Sequence, residues 1–230
     1  MTLIPLPLRR GFDFVLEPFV RSLITRQVTP NTITTVGTAV LIGSAVAYGF
    51  AQVRLGGGLL LLSGAIDMID GKVARGGGRI TRFGAFYDST LDRIGEGALF
   101  MGITFYFLDA GITAPWLPWA VGITLVALAS GLTVSYARAR AEGLGLDCRV
   151  GIAQRAERIL VLGVPSVLVG PGRDGLVLLV IVSLLALTAL VTVVQRIVHV
   201  YRVTHALEGV PQHGPTTTRA DAVGKGPRGG

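Results

Sequence analysis

Charge is scarce in this chain, and acid is scarcer than base. Only 15% of its 230 residues are Asp, Glu, Lys or Arg, against about a quarter in an ordinary soluble domain. Cysteine is nearly absent. The single Cys148 excludes an intrachain disulfide, and nothing around it suggests a metal–thiolate site. Aromatic residues, at 7%, do not interleave with basic ones as base stacking requires, so the formal charge of +7 is not read as nucleic-acid binding. No internal repeat stands out, which disfavours an inverted-repeat transporter. The first 28 residues lack a continuous apolar core followed by a small-residue cleavage site, and they are not read as a signal peptide. What the chain has in plenty is oil: half its residues are hydrophobic and the mean hydropathy is +0.62. That composition suits several membrane spans and leaves no room for an additional large soluble domain.

Residues 8–27 mix Arg9, Arg10, Arg21 and Arg26 with Phe12, Phe14, Leu16, Phe19, Leu23 and Ile24, a pattern for an amphipathic helix lying in the membrane interface. Thr29-Pro30-Asn31 then gives helix-start signals. Six apolar stretches follow, at about 31–51, 59–69 and onward, 83–107, 115–136, 159–169 and 176–200. The fifth reaches spanning length only if it starts near Gly151 and takes in Arg155 and Arg158. From His205 onward Gly, Pro, Thr and charge dominate, as in a disordered tail. Six spans put both termini on one side. Of the 21 Lys and Arg, only Arg54 and Arg173 fall in loops of the other side, so the shared side is expected to be cytoplasmic. The expected fold is an all-α integral membrane protein: an N-terminal interfacial helix (1–28), a six-helix membrane domain (29–204) and a tail (205–230).

The question this architecture raises is why DMIDGKVARGGGRITRFGAFYDSTLD, residues 67–92, carries four aspartates. A single intramembrane Asp is as well explained by a structural ion pair. Here Asp67 and Asp70 are i, i+3 at the end of span two, while Asp88 and Asp92 are i, i+4 at the start of span three. Each pair shares a helix face, and the short loop between makes the helices antiparallel neighbours. Four converging carboxylates call for cations, and hard divalent ions, Mg²⁺ or Mn²⁺, are the natural choice. Two such ions can clamp a phosphoryl or pyrophosphate group. Gly71 and Ala74 leave room for a bulky ligand beside the first pair and Gly84 beside the second, although close helix packing would also favour them. Arg75 is placed to meet phosphate oxygens; Lys72, Arg79 and Arg82 are further candidates, with membrane topology as their alternative explanation.

Asp67-x-x-Asp70-Gly71-x-x-Ala74-Arg75, eight residues, Gly84-x-x-x-Asp88-x-x-x-Asp92 resembles the complete signature of the CDP-alcohol phosphatidyltransferases, with every fixed position at its fixed spacing. The resemblance extends over roughly residues 8–203 and implies the following. Asp67, Asp70 and Asp88 would ligate one metal and Asp67, Asp88 and Asp92 a second, so that two Mg²⁺ (or Mn²⁺) ions serve one site. Asp92 would also be the catalytic base on the acceptor hydroxyl. Gly71, Ala74, Arg75, Thr81 and Gly84 would line the site for the donor, CDP-diacylglycerol or CDP-archaeol, with Thr29, Pro30, Asn31 and Thr32. A homodimer in the cell membrane is implied as well.

A second stretch, SYARARAEGLGLDCRVGIAQRAERI (135–159), gathers arginines at the ends of spans four and five, and Arg196 lies within span six. Positive-inside anchoring accounts for Arg149 but poorly for Arg155, Arg158 and Arg196. An inward cluster of guanidinium groups suits an anionic acceptor. The stretch resembles the phosphatidylinositol-phosphate synthases and their archaeal ether-lipid counterparts, differing at Arg138 (often Lys) and Gln154 (commonly Glu). The resemblance implies that Ser135, Arg138, Arg140, Arg155, Arg158 and Arg196 hold inositol-1-phosphate. Glycerol-3-phosphate is the rival acceptor, serine a weaker one. From another class, an ion or metal transporter would need its carboxylates near the middle of the spans.

Overall fold

The computed structural model describes residues 17–77, 81–152 and 155–208, and every regular element among them is helical. Helix α1 covers 17–25. It is followed by α2 (Pro30–Gly49), α3 (Val53–Gly76), α4 (Arg82–Tyr106), α5 (Leu117–Gly143), α6 (Arg155–Leu168) and α7 (Leu176–Glu208). Local chemistry sets the starts that matter for the site. Thr29 caps α2, its hydroxyl accepting from Thr32 N, and Pro30 occupies the first turn where a missing N–H costs nothing. Thr81 caps α4 in the same way, accepting from Gly84 N at 2.9 Å.

The core runs through Tyr48, Leu60, Ile103, Phe107, Leu162, Leu178 and Val182, all but inaccessible. At its centre the Tyr48 hydroxyl donates to Ser166 Oγ at 2.7 Å, satisfying a polar group that burial would otherwise penalise. That close approach of α3 and α6 depends on Gly57, where a Cβ would meet Ser166 Cβ at 2.6 Å. The outer faces are apolar as well. Phe86, Phe105, Trp119, Leu168 and Val180 are all more than half exposed, a surface suited to hydrocarbon rather than water.

Among the described residues, three segments are long and apolar enough to cross a membrane: Pro30–Gly49, Ala114–Gly143 and Arg173–Ala206. Helices α3, α4 and α6 stand where the other three spans were expected. The first two are long enough but carry the charges of the site. Helix α6 has 14 residues, about 21 Å at 1.5 Å per residue, short of a full crossing. Of its expected extension back to Gly151, Gly151 and Ile152 are not helical, and 153–154 lie outside the described residues. Instead Ile152 N donates to Thr192 Oγ1 of α7, which holds this segment against the bundle. Helix α7 continues to Glu208, so the expected start of the tail at His205 falls inside it.

Of the expected interfacial helix, residues 17–28 lie within the described residues and 17–25 are helical. Its Val20 is buried with Ile33 of α2 and Val73 of α3, and Leu23 and Ile24 pack beside them. Residues 1–16 and 209–230, and with them most of the expected tail, lie outside the described residues.

Candidate active site

Helix α2 packs along both α3 and α4, while among the described residues no Cα of α3 comes within 8 Å of one of α4. The two helices are therefore neighbours across a seam, not packed backbone to backbone. Helix α3 also packs on α6 and α4 on α5, and the seam between α3 and α4 is lined largely by small and charged residues. An open cleft of about 430 Å³ occupies that seam. Across it the carboxylates of Asp67, Asp88 and Asp92 converge, with one oxygen from each within 4.8 Å of the others. Asp70 lines the same cleft but is not part of that cluster. It is buried, and it accepts a hydrogen bond from the Thr34 hydroxyl of α2.

The three clustered acids fit a hard divalent cation. All offer oxygen ligands, and Asp88 Oδ1 is buried with no hydrogen-bond partner, an acceptor that a cation would satisfy. The existing counter-charge is Arg155 at the start of α6, whose Nη1 lies 2.5 Å from Asp92 Oδ1 and 3.2 Å from Asp67 Oδ1. Asp92 is only 14% exposed but Arg155 is 35% exposed, so this pairing is partly shielded from water. Arg93 Nη2 adds a longer contact at 3.6 Å to Asp92 Oδ2.

Most of the residues expected at a nucleotide–lipid donor do line the cleft: Pro30, Asn31, Gly71, Ala74, Arg75, Thr81 and Gly84. Both glycines admit neighbours that a side chain would crowd. A Cβ at Gly71 would meet the Arg75 guanidinium at 3.3 Å, and one at Gly84 would meet Thr81 Oγ1 at 3.0 Å and Asn31 Oδ1 at 3.3 Å. Thr29 and Thr32 do not line it. Their hydroxyls bond to each other at 2.8 Å and cap α2, which fixes the helix end that presents Pro30 and Asn31. Thr34, Met68 and Ala85 line the cleft without having been expected. Thr34 follows Pro30 by four residues, so the helical period alone would have placed it on the same face. Arg79 lies outside the described residues, as does Gln154.

The six residues expected at the acceptor separate into groups. Arg155 is at the acid cluster. Arg158, one turn on, pairs with Glu96 of α4 at 2.8 Å, both side chains 15% exposed. Arg196 donates from Nε to Val150 O at 3.1 Å and from Nη1 to Val134 O, tying α7 to α5 and to the segment before α6. Ser135 is adjacent to Val134 and its hydroxyl turns to Gly131 O at 3.4 Å. Arg138 pairs with Glu142 at 2.8 Å in the open, and Arg140 is exposed. Glu96 was overlooked in the sequence, although it stands one turn beyond Asp92.

The family model for CDP-alcohol phosphatidyltransferases matches residues 27–200. The chain belongs to the CDP-alcohol phosphatidyltransferase family. This phosphatidyltransferase is 37% identical to the phosphatidylinositol phosphate synthase of Cutibacterium acnes over 203 residues, 84% of this chain and 96% of the relative. It is 38% identical to the archaetidylinositol phosphate synthase of Methanothermobacter thermautotrophicus over 195 residues, 83% of this chain and 93% of that one. The crystal structure of Mycobacterium tuberculosis phosphatidylinositol phosphate synthase with CDP-DAG bound matches with a TM-score of 0.69 at 32% identity. That match covers 80% of this chain and 92% of the other. A structure of the same mycobacterial enzyme in complex with manganese and citrate matches with a TM-score of 0.70, over 80% and 88% of the two chains. The enzyme is thus a phospholipid-synthesis transferase most like the phosphatidylinositol phosphate synthases.

Proposed function

We propose that this phosphatidyltransferase moves the phosphatidyl or archaetidyl group of a CDP-activated lipid onto inositol-1-phosphate, releasing CMP. The observation that carries this reading is the contact of Arg155 with Asp92 and Asp67. It places a guanidinium suited to an acceptor's phosphate directly beside the carboxylate suited to an acceptor's hydroxyl. A serine acceptor, whose one carboxylate is balanced by its own ammonium group, would call for fewer cations than Arg155 with Arg158 behind it.

The donor nucleotide would enter the cleft between α3 and α4, with Arg75 over Gly71 meeting its phosphates and Asn31 and Thr81 at the ends of α2 and α4. Asp67, Asp70, Asp88 and Asp92 would hold two divalent cations, Mg²⁺ or Mn²⁺. Bound there, such ions neutralise pyrophosphate and stabilise departing CMP. Asp92 would take the proton of the inositol hydroxyl as its oxygen bonds to the lipid-linked phosphorus and the bond to CMP breaks. Arg155 and Arg158, with Ser135, Arg138, Arg140 and Arg196 nearer the end of α5, would bind and orient the acceptor.

We place the enzyme in the cell membrane, with six embedded helices, both termini and the site on the cytoplasmic side, and two copies per assembly. Such an embedding is supported by the acids gathering toward one end of α3 and α4, where a headgroup and a water-soluble acceptor can both reach them. The test is CMP release by purified protein given CDP-diacylglycerol or CDP-archaeol with inositol-1-phosphate, free inositol, glycerol-3-phosphate or serine. Turnover should require inositol-1-phosphate. Preference for glycerol-3-phosphate would identify a phosphatidylglycerol-phosphate synthase instead, and no CMP release with any acceptor would return the transporter reading.

A further inference from the structure

No Cα of α4 comes within 8 Å of one of α6 among the described residues, yet two ion pairs join the helices in register. Asp92 and Glu96 are i, i+4 on α4, and Arg155 and Arg158 are i, i+3 on α6; each acid meets its own arginine. The first pair, Asp92 with Arg155, lines a small pocket together with Thr34, Ser63 and Asp67. The second pair, Arg158 Nη1 to Glu96 Oε1 at 2.8 Å, stands over a cavity of about 50 Å³ floored by Leu60, Leu99 and Leu162.

Two details show how closely this pair is fitted. Gly131 of α5 is buried, and a Cβ there would meet Glu96 Oε1 at 2.6 Å and Arg158 Nη2 at 2.8 Å. On the other side Arg93 Nε lies 3.7 Å from Glu96 Oε2 and is buried without a hydrogen-bond partner. Glu96 therefore sits between two guanidinium groups, bonded to one and only near the other. The contact uses one of Arg158's five N–H donors, and among the described residues no other hydrogen bond of its planar fork is found, so the fork can meet an oxyanion.

We propose that Glu96 is a positioning residue of the acceptor site, fixing the Arg158 guanidinium in the notch that Gly131 leaves so that it meets the acceptor's phosphate beside Arg155. This rests on the reading of Arg158 as an acceptor ligand. Glu96 itself touches neither substrate; it acts through Arg158. Loss of its charge frees the arginine to adopt other rotamers, and that is felt in acceptor binding rather than in donor binding or chemistry.

The test is steady-state kinetics of the full-length enzyme with CDP-diacylglycerol and inositol-1-phosphate for Glu96→Gln, Arg158→Gln and the double variant. Glu96→Gln should raise the acceptor KM about tenfold, the scale of one charge-assisted hydrogen bond, with the donor KM and the rate at saturating acceptor near wild type. The double variant should be no worse than Arg158→Gln alone. Gly131→Ala, which keeps both charges but crowds the pair, should raise the acceptor KM in the same sense, and it serves if Glu96→Gln folds poorly. An unchanged acceptor KM in Arg158→Gln would overturn the acceptor reading beneath the proposal. A raised KM there but not in Glu96→Gln, or effects that multiply in the double variant, would overturn the role of Glu96 alone.

Discussion

Replacing Arg155 by alanine removes a cation that touches two of the clustered acids, and it should have two effects of opposite kind. Two unit charges at about 4 Å interact by roughly 4 kcal/mol at an effective dielectric near 20. Arg155 is 35% exposed, so water screens part of that. Without it the longer approach of Arg93 to Asp92 remains, and the mutual repulsion of Asp67 and Asp92 goes less compensated. A divalent cation then gains a more negative site, and Mn²⁺ should bind more tightly in the variant. The acceptor, however, loses a phosphate ligand. A hydrogen bond to a charged group is worth about 1.5–3 kcal/mol, so its KM should rise roughly ten- to a hundredfold. The donor KM should scarcely move, because that cleft is lined by α2, α3 and the start of α4. Arg155→Lys should recover part of the loss, since it keeps the charge but not the planar fork. Mn²⁺ binding followed by electron paramagnetic resonance and two-substrate kinetics together check the pair of effects. If well-folded Arg155→Ala binds Mn²⁺ more tightly but shows an unchanged acceptor KM, Arg155 is a counter-ion only. If neither quantity moves and only thermal stability falls, it is a membrane or packing anchor and the reasoning fails.

Asp92→Asn keeps the size of the side chain and should leave CDP-lipid binding largely intact while turnover drops at least roughly a hundredfold, the loss expected on removing a general base. Near-wild-type turnover at saturating metal would rule out that role. Asp67→Asn, at the residue assigned to both ions, should abolish Mg²⁺-dependent CDP binding measured by calorimetry, and undiminished binding would contradict the assignment. Gly84→Ala brings a methyl against Thr81 Oγ1 and Asn31 Oδ1, so it should raise the donor KM severalfold and spare the acceptor KM. A shift in the acceptor KM instead would mean that the cleft has been given the wrong ligand.

The acids could be read from the sequence because their spacing is a local property. Two pairs at helical intervals in oily segments have no comfortable explanation as surface charge, and the structure brings Asp67, Asp88 and Asp92 within reach of one another. The pairing of helices is not local in this sense. A short loop says that α3 and α4 are close in the chain, but the apolar residues that decide packing, such as Ile33 and Leu41 of α2, draw each of them to α2 instead. The cleft exists because of that preference. The arginines show the same limit from another side. Sequence shows that Arg155, Arg158 and Arg196 are cations in apolar surroundings, but not that their partners are two aspartates, one glutamate and two backbone carbonyls. Glu96 is the instructive case. It stands one turn beyond Asp92 on the same face, just past the last position of the aspartate motif. The helical period does not stop where a motif does. The ion pair that Glu96 forms with Arg158 is therefore the continuation, one turn along α4, of the contact that Asp92 makes with Arg155.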